Sequence, residues 1–84
     1  MSANMTERRI RLMIVDDHFV VRSGVVASLA LEDDLEVVVE AENGEQVQEL
    51  YRQKKPDVVI MDLRLPGKNG IEATAALTKE FPTA

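Results

Sequence analysis

The residues best suited to chemistry in this chain are three aspartates, each standing at the end of an apolar run. Leu12-Met13-Ile14-Val15 leads into Asp16-Asp17-His18, and Asp57-Val58-Val59-Ile60-Met61 leads into Asp62. Apolar runs without polar alternation mark strands covered on both faces. In an open parallel sheet with helices on its faces, ligands bind at the carboxyl ends of the strands. If the two strands are neighbours, three carboxylates converge there. Like charges so close repel one another, and the cluster calls for a cation. Oxygen ligands of this kind suit Mg2+, which takes one or two carboxylates, keeps waters and completes its shell with a phosphate. The pattern reads as an acidic pocket for a divalent metal and a phosphoryl group. The bland alternative is that turns are hydrophilic and acids follow strands for that reason alone. It serves for Asp16 or Asp62 singly, and weakens when both end apolar strands at one sheet edge.

The elements that must position these residues follow from periodicity. Phe19 to Leu31 reads as an amphipathic helix, with Val21, Val25 and Leu29 at four-residue spacing and Val26 beside them, stopped by Glu32-Asp33-Asp34. Glu36-Val37-Val38-Val39-Glu40-Ala41 is a second strand, rich in β-branched residues. Asn43 is a candidate N-cap, with Gln46 placed for a capping box, and Val47, Leu50 and Tyr51 mark one face of a short helix. Lys54-Lys55-Pro56 ends it, since cations suit the C-terminal end of the dipole and proline cannot continue the turn. Leu63-Arg64-Leu65-Pro66-Gly67-Lys68-Asn69-Gly70 has the content of a loop, and Ile71 to Phe81 is helical, with Ala73, Leu77 and Phe81 on one face. The order βαβαβα predicts an α/β fold with a parallel sheet.

Composition narrows the function classes. The 84 residues are 45% hydrophobic and 30% charged, enough chain for one small domain. A net charge of −5 gives no basic surface, so direct nucleic acid binding is not expected. Absence of cysteine excludes disulfides and thiolate chemistry. No apolar run approaches the roughly 18–20 residues of a membrane span. Residues 1–9 are polar, lack the apolar core of a signal peptide, and read as a flexible tail before a domain over 10–84. These features fit a cytoplasmic protein.

Val15-Asp16-Asp17-His18 after an apolar strand, followed by Met61-Asp62-Leu63-Arg64-Leu65-Pro66-Gly67-Lys68-Asn69-Gly70, resembles the receiver domain of bacterial two-component response regulators. Val20-Val21-Arg22-Ser23-Gly24 and Gly70-Ile71-Glu72-Ala73 are similar, more narrowly, to receivers of the LuxR/NarL type. The resemblance covers Ile10 to Phe81 and implies a flavodoxin-like fold with strand order 2-1-3. It implies that Asp62 is the phosphoacceptor, taking phosphate from a sensor histidine kinase. It implies that Mg2+ is bound directly by Asp17 and largely through water by Asp16, with the main-chain carbonyl of Arg64 as a further ligand, and holds the phosphoryl group in line with Asp62. In a full-length regulator such a module would control transcription through a helix-turn-helix output domain. An enzyme with an aspartyl nucleophile, such as a phosphatase, would want a second carboxylate two residues on, where this chain has Arg64.

The chain also departs from that pattern. Phe19 stands where the family usually has proline, and would add apolar surface where the kinase docks. Three βα units are expected here where a receiver has five, so the hydroxyl residue of strand four and the lysine of strand five have no counterpart. The alternative function is therefore a truncated, phosphorylation-impaired receiver that serves only for binding and dimerisation. With order 2-1-3, Val58-Val59-Ile60-Met61 becomes a sheet edge carrying no protective charge or proline. A two-fold dimer, or a larger assembly, is expected through that edge, and Lys in place of Val59 is expected to dissociate it.

Overall fold

The computed structural model describes residues 9–62 and 69–83. Three strands and three α-helices alternate: β1 (Ile10–Val15), α1 (Phe19–Leu29), β2 (Leu35–Ala41), α2 (Val47–Lys54), β3 (Val58–Met61) and α3 (Gly70–Glu80), with a 3₁₀ turn over Gly44–Gln46 ahead of α2. The strands form one parallel sheet in the order β2-β1-β3. The most apolar strand is therefore the central one, and Leu12, Met13, Ile14 and Val15 are all buried. The parallel α/β fold is the one the element order predicts, and the strand order 2-1-3 is the one the family resemblance implies.

Alternation along the strands divides the core between two faces. Met13, Val15 and Ala41 point to one face, where they pack with Val47 of α2 and with Ala73 and Leu77 of α3. Leu50, Tyr51, Val59, Met61 and Phe81 close the rim of this cluster, and the rings of Tyr51 and Phe81 meet with centroids 4.7 Å apart. The alternate residues Leu12 and Ile14 point to the other face, against which α1 packs. The β1–β2 register slips between Leu12 and Met13, so that Leu12 pairs with Val37 but Met13 with Val39. The extra residue in β2 keeps Val39 and Ala41 on the same face as Met13 and Val15.

Two details differ from the expectation for α1. The helix ends at Leu29, two residues early, because Leu31 and Glu32 donate to the carbonyls of Ser28 and Leu29 in a tightened last turn. Its buried stripe also runs through Arg22, not Val21. Val21 is 52% exposed, whereas Arg22 is only 9% exposed. A long guanidinium side chain can be buried when its stem lies on apolar surface and its head finds partners, and Arg22 has both.

Helix ends are held by local chemistry. The Asn43 side chain accepts from the backbone of Glu45 and Gln46, at 3.0 and 3.1 Å, as expected of an N-cap. Gln46 reaches back one residue further than a capping box would take it, accepting from Glu42 N at 2.8 Å. The complete box is at α3: Asn69 accepts from Glu72 N at 2.8 Å while Glu72 accepts from Asn69 N at 3.2 Å. That box starts α3 at Gly70, one residue before the expected start. Lys55 closes α2 in the left-handed region, at φ 49°, and Pro56 follows.

Strand β3 does not meet the expectation of cover on both faces. Val59 and Met61 join the core, but Val58 and Ile60, on the α1 side, are 46% and 42% exposed.

Candidate functional site

The register of the sheet brings the acidic residues together. Val15 of β1 lies opposite Met61 of β3, so the residues that follow, Asp16 and Asp62, leave the sheet side by side. Both are anchored by the last rungs of the ladder: Asp16 N donates to Ala41 O at 3.0 Å and Asp62 N donates to Val15 O at 2.9 Å. Asp17 lies at the turn into α1. The oxygens of Asp16, Asp17 and Asp62, with Nδ1 of His18, offer one donor atom each, all within 4.8 Å of one another. Asp16 and Asp62 are half-buried, while Asp17 and His18 are exposed. The condition set by the sequence, that strands one and three be neighbours, is met, and the convergence follows from it.

The turn between β1 and α1 is fixed from both ends. His18 N donates to Asp16 Oδ1 at 2.8 Å, folding the turn back on the first carboxylate. Arg22, one turn into α1, donates from Nη1 to the main-chain carbonyl of Asp16 at 2.6 Å and from Nε to Glu40 Oε1 of β2 at 2.9 Å. Its guanidinium also lies 5.8 Å from the centroid of the Phe19 ring. Arg22 thus ties α1, β1 and β2 together directly behind Asp16, while spending its charge on Glu40. The sequence reading missed this role. The available signal was an arginine within the apolar stripe of α1, at the spacing of Val25, Val26 and Leu29.

Three carboxylates around one point form an oxygen donor set that fits Mg2+, which binds through few carboxylates and keeps waters in its remaining positions. Arg64, whose carbonyl the sequence reading adds to the ligands, lies outside the described residues, as does the loop through Pro66 and Gly67. The expected tail lies outside them too, apart from Arg9. His18 is a surface residue whose side chain makes no capping bond to α1 and turns to the carboxylates of Asp16 and Asp17. Lys54 and Lys55 are exposed at the end of α2, and Arg52 pairs with Glu49 and Glu80, so that basic cluster is a solvated helix end.

Comparison with known proteins decides the family. The model of the response regulator receiver domain matches residues 12–84. This chain belongs to the response regulator receiver family. Among curated relatives, the transcriptional regulatory protein DegU of Brevibacillus brevis is 42% identical over 82 residues, covering 98% of this chain and 35% of that protein. The response regulator GacA of Pseudomonas viridiflava is 47% identical over 73 residues, covering 87% of this chain and 34% of that one. A LuxR-family response regulator from Aurantimonas superposes with a TM-score of 0.87 at 41% identity, over 90% of this receiver and 54% of that chain. The receiver domain of the NarL regulator from Mycobacterium tuberculosis gives 0.82 at 36% identity, over 89% and 60%. The relatives are of the LuxR/NarL type, and the three βα units described here have the flavodoxin-like receiver fold. The receiver spans about a third of the length of these curated relatives. It is a signal-receiving module of two-component systems, and no helix among the described residues is long and apolar enough to cross a membrane.

Proposed function

We propose that Asp62 is the phosphoacceptor of this receiver, taking a phosphoryl group from the phosphohistidine of a sensor kinase in the cytoplasm, with Mg2+ held by Asp17 and Asp62 directly and by Asp16 largely through water. The observation that carries the proposal is the convergence of the three carboxylates on the ends of two adjacent strands. A carboxylate oxygen of Asp62 forms the new O–P bond as the N–P bond to the donor imidazole breaks, and the imidazole leaves with the electron pair and takes a proton. When bound, Mg2+ supplies neutralisation of the charge on the transferring phosphoryl oxygens. The chain's own residues supply position. The bond from Asp62 N to Val15 O sets the acceptor at the sheet edge, and Arg22 holds the carbonyl of Asp16 so that the Asp16-Asp17 turn keeps its shape. The carbonyl of Arg64 is the further metal ligand in this reading. Exposed Phe19, at the start of α1, offers the kinase an apolar contact. In a regulator the length of DegU, which is named a transcriptional regulatory protein, phosphorylation of this module would act on transcription through an attached helix-turn-helix domain.

Incubation with a small acyl phosphate and Mg2+, read by intact-protein mass, tests the assignment. One added phosphoryl group is expected in the parent chain and none in Asp62→Asn or without Mg2+. Equal incorporation by Asp62→Asn overturns it.

A second reading, binding and self-association without productive phosphorylation, is favoured by the bare side of β3. Val58 and Ile60 are exposed, and β3 pairs with β1 alone among the described residues. Such an edge invites a second copy, β3 against β3 across a two-fold axis. Val59 packs in the core, so Lys there would disturb the fold as well as the edge, and Ile60→Lys is the cleaner probe. Sedimentation across a concentration series should show a dimer or larger species that Ile60→Lys dissociates. A folded monomer at high concentration defeats this reading.

A further inference from the structure

A concave site lies at the opposite end of the strands from the acidic centre, where α2 gives way to β3 and α3 ends. Tyr51, Arg52 and Lys55 line it from one side and Glu80, Phe81 and Pro82 from the other, around an open cavity of about 360 Å3. That volume falls within the roughly 300–1,000 Å3 of small-molecule sites. The tilted rings of Tyr51 and Phe81, with Pro82, make an apolar wall. Two cations line the cavity, and they are not equivalent. Arg52 is spent on Glu49 and Glu80, and gives the cavity a ring contact, its guanidinium 5.7 Å from the centroid of Phe81. Glu80 is committed in turn, to Arg52 and to Gln48 at 2.7 Å. Lys55 is exposed, and among the described residues its ammonium makes no hydrogen bond or ion pair. Its backbone is held on both sides: N donates to Tyr51 O at 2.7 Å and O accepts from Arg11 Nη1 at 2.8 Å, at φ 49°. Left-handed backbone favours glycine, so this position carries a lysine where glycine would be less strained.

We propose that this cavity binds a small aryl carboxylate, with the anion held by Lys55 and the ring by Tyr51, Phe81 and Pro82. Charge sets the sign of the ligand. The chain carries a net charge of −5, yet the charged group left without a partner in this cavity is a cation, and Glu80 is already paired. The apolar wall sets the body of the ligand, because aromatic rings pack on one another with a gain beyond the area they bury. A phosphate would want several converging donors. One ammonium beside an apolar wall suits a single carboxylate carried on a ring. The site uses neither the metal nor the phosphoryl chemistry of the acidic centre, so the inference goes beyond the phosphoacceptor reading and does not rest on it.

Phenylacetate is the probe, with phenylacetamide as its neutral counterpart. Each is titrated into the parent chain, Lys55→Gly and Lys54→Gln, with backbone amide NMR as the readout. Glycine accepts the left-handed turn, so Lys55→Gly removes the ammonium and keeps the fold. The phenylacetamide arm needs no variant at all. Phenylacetate should bind the parent in the millimolar range expected of so small a ligand, and move the amides of Tyr51, Lys55 and Phe81. Loss of the charge on either side, in Lys55→Gly or in phenylacetamide, should weaken binding by about threefold or more, while Lys54→Gln stays within about 1.5-fold of the parent. Equal affinity for phenylacetamide, equal loss in Lys54→Gln and Lys55→Gly, or no saturable shift at these amides overturns the inference. Shifts centred on Asp16, Asp17 and Asp62 overturn it as well.

Discussion

Replacing Arg22 with Met is expected to destabilise the fold by about 2–3 kcal/mol, mostly through a bond that carries no net ion pairing. Arg22 is nearly buried and makes two charge-assisted hydrogen bonds, to Glu40 at 2.9 Å and to the carbonyl of Asp16 at 2.6 Å. Each such bond is worth about 1.5–3 kcal/mol where neither group can return to water. The Glu40 side chain is 45% exposed and turns to solvent once its partner is gone, which reduces that share to about 0–1 kcal/mol. The Asp16 carbonyl belongs to a half-buried residue packed behind the turn, and keeps a cost of about 2 kcal/mol. Met preserves most of the apolar stem. Ala would add roughly 1.6 kcal/mol, for two lost methylenes at about 0.8 kcal/mol each. In a domain this size the Met variant should melt about 10–20 °C lower. Urea unfolding followed by far-ultraviolet circular dichroism measures the difference, with Glu40→Gln as the partner variant. Glu40→Gln should cost under about 1 kcal/mol. If Arg22→Met lies within about 0.5 kcal/mol of the parent, or Glu40→Gln costs as much as Arg22→Met, the carbonyl bond is not the main term and the argument fails.

Leu77→Ala should cost about 2–5 kcal/mol in the same assay, because Leu77 is buried between α3 and the sheet and its loss leaves a cavity. Gly24→Ala should stabilise by up to about 1 kcal/mol, since Gly24 sits inside α1 and a Cβ there meets nothing within 4 Å. Hydrogen bonds from Arg52, and then from Gln48, hold the Glu80 carboxyl below its ordinary value of 4.5. Whatever Glu80 contributes is therefore present above that value and lost as the pH falls through its lower folded-state value. Melting curves of the parent and Glu80→Gln should differ at neutral pH and converge in acid, and also in high salt, because the pair is exposed. A difference that persists in acid would assign the effect to packing.

Much of the site was legible because its signal is local. An apolar run that stops at a carboxylate is readable without knowing any partner strand, and two such runs on adjacent strands suffice to bring Asp16, Asp17 and Asp62 together. What was not legible depends on contacts distant in sequence. Val21 looks like the inward residue of α1 when side chains are ranked by apolarity. Arg22 takes that place because Glu40 and the Asp16 carbonyl wait behind it, and neither partner is visible in the helix's own sequence. The apolar pattern of β3 likewise implies cover on both faces, but it reports only what Val58 and Ile60 are suited to meet. His18 is exposed. Its direction toward the carboxylates arises from the fold of the β1–α1 turn, which residue type alone does not encode.

The central claim is that the acceptor is Asp62 and that the neighbouring aspartates serve the metal. The direct measurement is reductive trapping of the acyl phosphate after reaction with a phosphodonor and Mg2+, followed by peptide mass mapping. Modification should appear at position 62, with positions 16 and 17 untouched. Trapping at Asp16 or Asp17, or modification that persists in Asp62→Asn, would contradict the account.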